Sequence, residues 1–325
     1  MKQLNEIDTG SMVVTRGQNG TLYLTGGAHE VLEYVTGVRP LNPRSLIHFS
    51  KNLISRKAAA DSMGIPYCHI VCPDKHSVLR EDFPHDIVET LGDRFQRESG
   101  VPFLYPVDAL RDIPGGGSYW KTDTHWTVQG QLVAVRTVMR ELGFESAHIE
   151  DRLDAVLAAC TTRMNYTGDL GVKLDPRPVE SGLVYERPHH MHFSTNGLVG
   201  NNGTINVIHN PRADRGRLLV FGDSFVMSCL DVFAEFFQMV LLVRSPYFHP
   251  EIMHMFEPTH MVSANAERYL SGVPIDAGAP VALLMAPMSG KDSKPTVGFY
   301  ETLNAALRPA SPLSPVYFER LGQAS

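Results

Sequence analysis

From Leu218 onward the chain alternates apolar runs with amphipathic stretches: Leu218-Leu219-Val220-Phe221, helical spacing from Val226 to Gln238, Val240-Leu241-Leu242-Val243, a short helix from Pro250 to Met255, then Met261-Val262-Ser263. Apolar runs with so few polar alternations suit strands covered on both faces, and strands separated by helices join as parallel βαβ units. The expected fold class is therefore α/β with a parallel central sheet. In such sheets ligands sit at the carboxyl ends of the strands. There the first of these runs breaks into Gly222-Asp223-Ser224-Phe225, a glycine turn that exposes a hydroxyl.

The first half of the chain supplies more of the same layer. Ile65-Pro66-Tyr67-Cys68-His69-Ile70-Val71-Cys72 reads as a covered strand opening into the polar loop Pro73-Asp74-Lys75-His76. Asn19-Gly20 between the apolar runs 12–17 and 21–24 predicts an N-terminal β-hairpin. Residues 42–63 predict a helix with Leu46, Phe49, Leu53 and Ile54 on one face, ended by Gly64. A helix is expected within 86–100 and a short strand at 103–107. Thr127 then N-caps a helix carrying Val128, Leu132, Val135, Met139 and Leu142 toward the core. Residues 161–217 weaken into prolines, histidines and a Gly/Asn-rich run, which predicts a β-rich insertion able to face a substrate. A last helix is expected at 297–307, before a Pro/Ser-rich stretch. The whole chain, 1–325, reads as one domain with a core at 42–290, the insertion at 161–217, and a C-terminal helix and tail from 291.

Charge and cysteine content narrow the function. A formal net charge of -6 leaves no basic patch for phosphate backbones, so nucleic acid is not an expected partner. No window approaches ~20 apolar residues, so no membrane-spanning helix is expected. The start shows no basic segment followed by an apolar one, which gives a cytoplasmic expectation. The four cysteines, Cys68, Cys72, Cys160 and Cys229, fit neither a disulfide framework nor zinc spacing and read as buried thiols. His189-His190 with His192 is the best metal alternative and reads as an exposed loop; no metal and no cofactor are expected.

About a hundred residues before Ser224 stands Asp123-Thr124-His125-Trp126-Thr127. A serine hydroxyl is a poor nucleophile at neutral pH without a neighbouring base, and that base needs an orienting acceptor on its other nitrogen. His125 and Asp123 suit those two roles, because an extended Asp123-Thr124-His125 segment would put both side chains on one side. Ser224 at a strand-to-helix turn would aim the first free helical N–H groups at a developing oxyanion.

Taken in order, Asn19-Gly20-Thr21-Leu22-Tyr23-Leu24, Pro73-Asp74-Lys75, Asp123-Thr124-His125-Trp126-Thr127, Gly168-Asp169-Leu170 and Gly222-Asp223-Ser224-Phe225 resemble the SGNH-hydrolase-like domain of alginate O-acetyltransferases, the AlgX/AlgJ group. The resemblance runs from about Val13 to Leu270 and includes that group's permuted order, with Asp-x-His ahead of the serine. Asp223 stands where the group usually has Thr, and Val128 where it has Pro; neither change removes a reacting group. The resemblance implies a flavodoxin-like three-layer α/β domain that moves an acetyl group from a donor onto a polysaccharide or oligosaccharide hydroxyl, with Ser224 as nucleophile, His125 as base and Asp123 as its orienter. It also implies a periplasmic alternative for the location. Asn265, Arg244 and Lys75 are the candidates for oxyanion or substrate contacts, Asn265 having a turn-capping role as its alternative. The same triad would serve an esterase or deacetylase, and a non-catalytic polysaccharide-binding assembly subunit is the reading from another class.

Overall fold

The computed structural model describes residues 6–8, 13–200, 202–213 and 216–307; the expected Pro/Ser-rich tail from 308 lies outside the described residues. Near the N-terminus β1 (Glu6–Asp8), β2 (Val13–Arg16) and β3 (Leu22–Leu24) form an antiparallel sheet, with Val14 opposite Leu24. The helix Pro43–Ser62 follows. Asn42 accepts the Arg44 N–H at 3.0 Å, Pro43 occupies the first turn, and Gly64 closes the helix at φ +67°. Phe49 on this helix packs edge-on against Phe95 and Phe103, at 5.1 and 5.2 Å between ring centroids. Burying such a ring contributes about 1.5–3 kcal/mol.

The central sheet begins with β4 (Tyr67–Cys72). A separate hairpin of β5 (Thr161–Tyr166) and β6 (Glu180–Val184) stands apart from it, and β7 (His192–Thr195), β8 (Ile205–His209), β9 (Arg217–Gly222), β10 (Met239–Arg244) and β11 (His260–Ala266) complete it in the order β4-β11-β9-β10-β8-β7. β4, β11, β9 and β10 run parallel, while β8 is antiparallel to β10 and β7 to β8. The result is a mixed α/β fold with a mostly parallel sheet. Residues 161–217 therefore differ from the expected insertion: β7 and β8 extend the central sheet, and only the β5–β6 hairpin departs from it.

Two smaller expectations also fail. Residues 103–107 give a single bridge, Ile70 to Leu104, and not a strand. The helix expected at 226–238 is two short ones, Ser224–Met227 and Leu230–Phe233.

Side-chain alternation along the strands separates the two faces. Val220, Leu242, Val262 and Ile70 point into one core with Phe225, Phe233 and the helix Val128–Glu141. Leu219, Phe221, Leu241 and Val243 point into the other, with the helices Pro250–Phe256 and Phe299–Ala306. The connection leaving β9 thus covers one face and the connection leaving β10 the opposite face. Between them lies a topological switch point, where open α/β sheets form a crevice. Among the described residues no helix is long and apolar enough to cross a membrane.

Candidate active site

β9 ends at Gly222, and the next two residues turn the chain into the helix Ser224–Met227. The turn is fixed by Asp223, whose carboxylate accepts the N–H of Phe225 at 2.9 Å and of Ala266, across on β11, at 2.5 Å. Burial pushes the Asp223 carboxyl up, opposed by those N–H groups and the Arg268 charge. Ser224 is half-buried at the head of the turn.

The second motif sits just before the helix Val128–Glu141, whose N-cap Thr127 accepts the Gly130 N–H at 3.4 Å and donates to the Gly117 carbonyl at 2.5 Å. Asp123 and His125 are held together, but through a tighter turn than the extended segment expected. One carboxylate oxygen, Oδ1, accepts both the backbone N–H of His125 at 2.9 Å and its ring Nδ1–H at 2.7 Å. Oδ2 accepts the Tyr166 hydroxyl and the Asp169 N–H, the latter at 3.2 Å. Burial alone would raise the Asp123 pKa; the hydrogen bond and charge of His125, with help from Tyr166, hold it well below the usual carboxylate range. Burial and the Asp123 charge push the Tyr166 phenol up, so it stays a donor.

The surroundings lock this pair further. A Cβ on Gly168 would lie 2.3 Å from the Asp123 Cβ, so only glycine allows that approach. Asp169 accepts from the Thr124 N–H at 2.8 Å and its hydroxyl at 2.6 Å. Glu180 accepts the Lys121 N–H at 2.8 Å, the Thr122 N–H at 2.7 Å and the Thr122 hydroxyl at 2.6 Å.

The two motifs meet through Phe225, whose ring lies 5.0 Å from the His125 imidazole and 5.0 Å from Trp126. With Nδ1–H committed to Asp123, the His125 Nε2 carries the lone pair. It is buried and has no hydrogen-bond partner among the described residues, Ser224 included.

The three further candidates fare differently. Lys75 does not face solvent. It is buried, and its ammonium donates to the carbonyls of Leu22 at 2.8 Å, Trp120 at 2.7 Å and Asp123 at 2.5 Å. Burial pulls its pKa down to about 8 against the pull of the nearby carboxylates. Lys75 thus pins the Asp123 backbone to the N-terminal sheet, and backbone carbonyls within the fold, not a ligand, satisfy its charge. Arg244 ends β10 abreast of Gly222, its backbone tied to Gly203 and Thr204 at 2.8 Å each.

Asn265 sits at the end of β11 and does not cap the following turn. Its Oδ1 accepts from His69 Nε2 at 2.9 Å and its amide donates to the Ala266 carbonyl at 3.0 Å. His69 also contacts the Ser263 hydroxyl at 2.7 Å, and Ser263 that of Tyr67 at 2.7 Å. Burial, with the Arg56 charge, pulls His69 down to about 3, so this chain of groups is neutral and fixes the Asn265 amide plane.

Tyr166, Asp169, Glu180 and His69 carry no signal in isolation; Gly168-Asp169-Leu170 had marked the place of one of them. Of the histidine cluster, His192 lies in β7, stacked 6.1 Å from His209. Asp123, His125 and Asp169 bring ligand-type atoms within 4.8 Å of one another, but hydrogen bonds from the protein already engage those carboxylates and Nδ1.

No protein-family model and no curated protein matches the sequence. Solved structures do match in fold. A DHHW family protein from Eubacterium siraeum superposes with a TM-score of 0.56 at 12% identity, over 83% of this chain and 95% of that one. Bacillus cereus PatB1 gives 0.57 at 13% identity, over 80% of this chain and 98% of that one, and has also been solved with a sulfonyl adduct. The O-acetyltransferase domain of Pseudomonas putida AlgJ gives 0.48 at 16% identity, over 82% and 95%.

Proposed function

We propose that the protein is an O-acyltransferase that moves an acetyl group onto a hydroxyl of a polysaccharide or its saccharide precursor, with Ser224 as nucleophile, His125 as base and Asp123 as its orienter. The observation that carries this reading is the buried, unpartnered Nε2 of an imidazole whose other nitrogen is held by a buried carboxylate. An acceptor lone pair kept away from water beside the Ser224 turn is what a serine nucleophile needs. The order of motifs shared with the alginate O-acetyltransferases supports the acyl-transfer chemistry.

In the first step Ser224 Oγ bonds to the acyl carbonyl carbon as its proton passes to Nε2, and the donor's C–O bond breaks with that proton going to the departing oxygen. In the second, His125 takes the proton of the acceptor hydroxyl, whose oxygen bonds to the acyl carbon, and Ser224 leaves with the proton restored. Apo serine–histidine contacts are often open and tighten in the complex. Asp223 occupies the Phe225 N–H, so on this turn the Ser224 N–H remains for the oxyanion, and the fixed Asn265 amide is the second donor.

The test uses purified protein with an acetyl ester, with and without oligosaccharide. Acetylated sugar formed by wild type and lost in Ser224→Ala is the expected result, along with sulfonyl fluoride labelling of Ser224, a reagent class suggested by the PatB1 adduct. Acetate release that ignores added sugar would make it an esterase, and sugar acetylation surviving in Ser224→Ala would remove the triad altogether.

A further inference from the structure

At the switch point, the carboxyl ends of β9, β10 and β11, His69 of β4 and the helix Pro43–Ser62 border a cavity of about 310 Å³. Neither Ser224 nor His125 lines it, but Gly222 and Asp223, the two residues before the serine, do. Asn265 forms part of the wall beside Asp223, on the neighbouring strand.

Several polar groups of the cavity are turned to one another. Asn52 bonds to the Pro274 carbonyl and the Asp276 N–H at 2.8 and 2.9 Å, and Arg56 grips the Asp276 carboxylate at 2.8 Å through two nitrogens. Ser245 is shared between His249 and the Tyr247 N–H, and His69 uses both ring nitrogens. Asn202, Tyr269 and the second N–H of the Asn265 amide also border the cavity, but the larger part of its surface is carbon, from Phe49, Leu53, Ala264, Val273 and Pro274. The volume equals roughly ten waters at ~30 Å³ each, and an acetyl methyl fills about one of those places.

We infer that this cavity receives the acyl chain carried on Ser224, and that beyond the acetyl group it admits longer acyl esters, up to on the order of eight carbons at about one water volume per methylene. The inference rests on Ser224 being the acylated residue. A polar ligand such as a sugar ring would find most of those partners already engaged and would be disfavoured against an acyl chain there.

The experiment measures kcat/KM of the full chain on p-nitrophenyl acetate, butanoate, hexanoate and octanoate. About a three- to fourfold gain per methylene up to octanoate is expected, the factor for burying one CH₂. Leu53→Trp, and separately Val273→Trp, should lower the octanoate-to-acetate ratio at least tenfold, with thermal midpoints identifying the variant that folds. Calorimetry with free octanoate and free acetate gives a readout independent of turnover: octanoate should bind wild type and be lost in the folded cavity variant. A ratio that falls from acetate onward, or octanoate binding unchanged by a folded tryptophan variant, overturns the cavity assignment. Ester turnover persisting in Ser224→Ala would instead overturn the triad reading, while octanoate binding still decides whether the cavity holds an acyl chain.

Discussion

The two halves of the site are built to different standards. On the His125 side every oxygen of Asp123 is committed: Oδ1 to two N–H groups of His125, Oδ2 to Tyr166 and Asp169, the carbonyl to Lys75. On the Ser224 side only the backbone is fixed, through Asp223, and the half-buried serine follows directly on the Gly222 and Asp223 wall of a cavity. A base must keep one tautomer and one direction, so it gains from over-determination; a nucleophile must accept a carbonyl of some bulk, so it needs room. The contrast predicts that damage on the first side costs more than its distance from the substrate suggests.

The largest effect is expected from Asp123→Asn. The amide keeps the shape but presents an N–H or a weaker acceptor to Nδ1, so the imidazole loses its tautomer, and kcat should drop by about 10³–10⁴-fold with the fold retained. Steady-state rates with a circular dichroism control check this. A drop below tenfold would mean that the first side's rigidity serves stability and not proton transfer.

Lys75→Met comes next, and it acts on stability. Methionine fits the volume but abandons the carbonyls of Leu22, Trp120 and Asp123, each costing about 1–3 kcal/mol when buried without a donor. A loss of at least about 3 kcal/mol in urea unfolding is expected, with KM for anionic and neutral acceptors changing by the same factor. A selective loss for the anionic acceptor would return Lys75 to the substrate.

Lys75 also shows where the sequence stops being readable. Apolar runs at 65–72, 218–221 and 240–243 announce covered strands because nothing else tolerates them, and Asn42, Gly64 and Thr127 mark helix ends by local chemistry alone. The Asp123-His125 pair is legible because its two members are neighbours in sequence. Tyr166 is 43 residues from Asp123 and Glu267 is 193 from Asp74, and no local pattern records such contacts. A lysine after a strand normally faces water; burial here depends on carbonyls contributed by β3 and the 120–123 segment. β7 and β8 were hidden for another reason: Ile205-Asn206-Val207-Ile208 sits among glycines and asparagines that read as turns, and only pairing with β10 gives it a place in the sheet.

The smallest effect, and the one that best separates orientation from mere packing, is expected from Tyr166→Phe. The ring stays against Trp120, at 4.6 Å between centroids, and only the hydroxyl on Asp123 Oδ2 goes. With the Asp169 N–H still in place, kcat should fall about three- to tenfold at unchanged KM, the loss of one hydrogen bond of ordinary strength. Stability gives the second readout. The folded-state pKa of Asp123 is depressed, so its contribution is fully present above the unfolded value near ~3.9 and is lost as pH falls through the folded value. Removing the Tyr166 donor raises the folded pKa toward the unfolded one, so the variant should be less stable than wild type at pH ~7 and converge with it as acid protonates Asp123 in both. A stability gap that stays constant from neutral pH into strong acid would show that the hydroxyl only fills space, and the first side would then be no better held than the second.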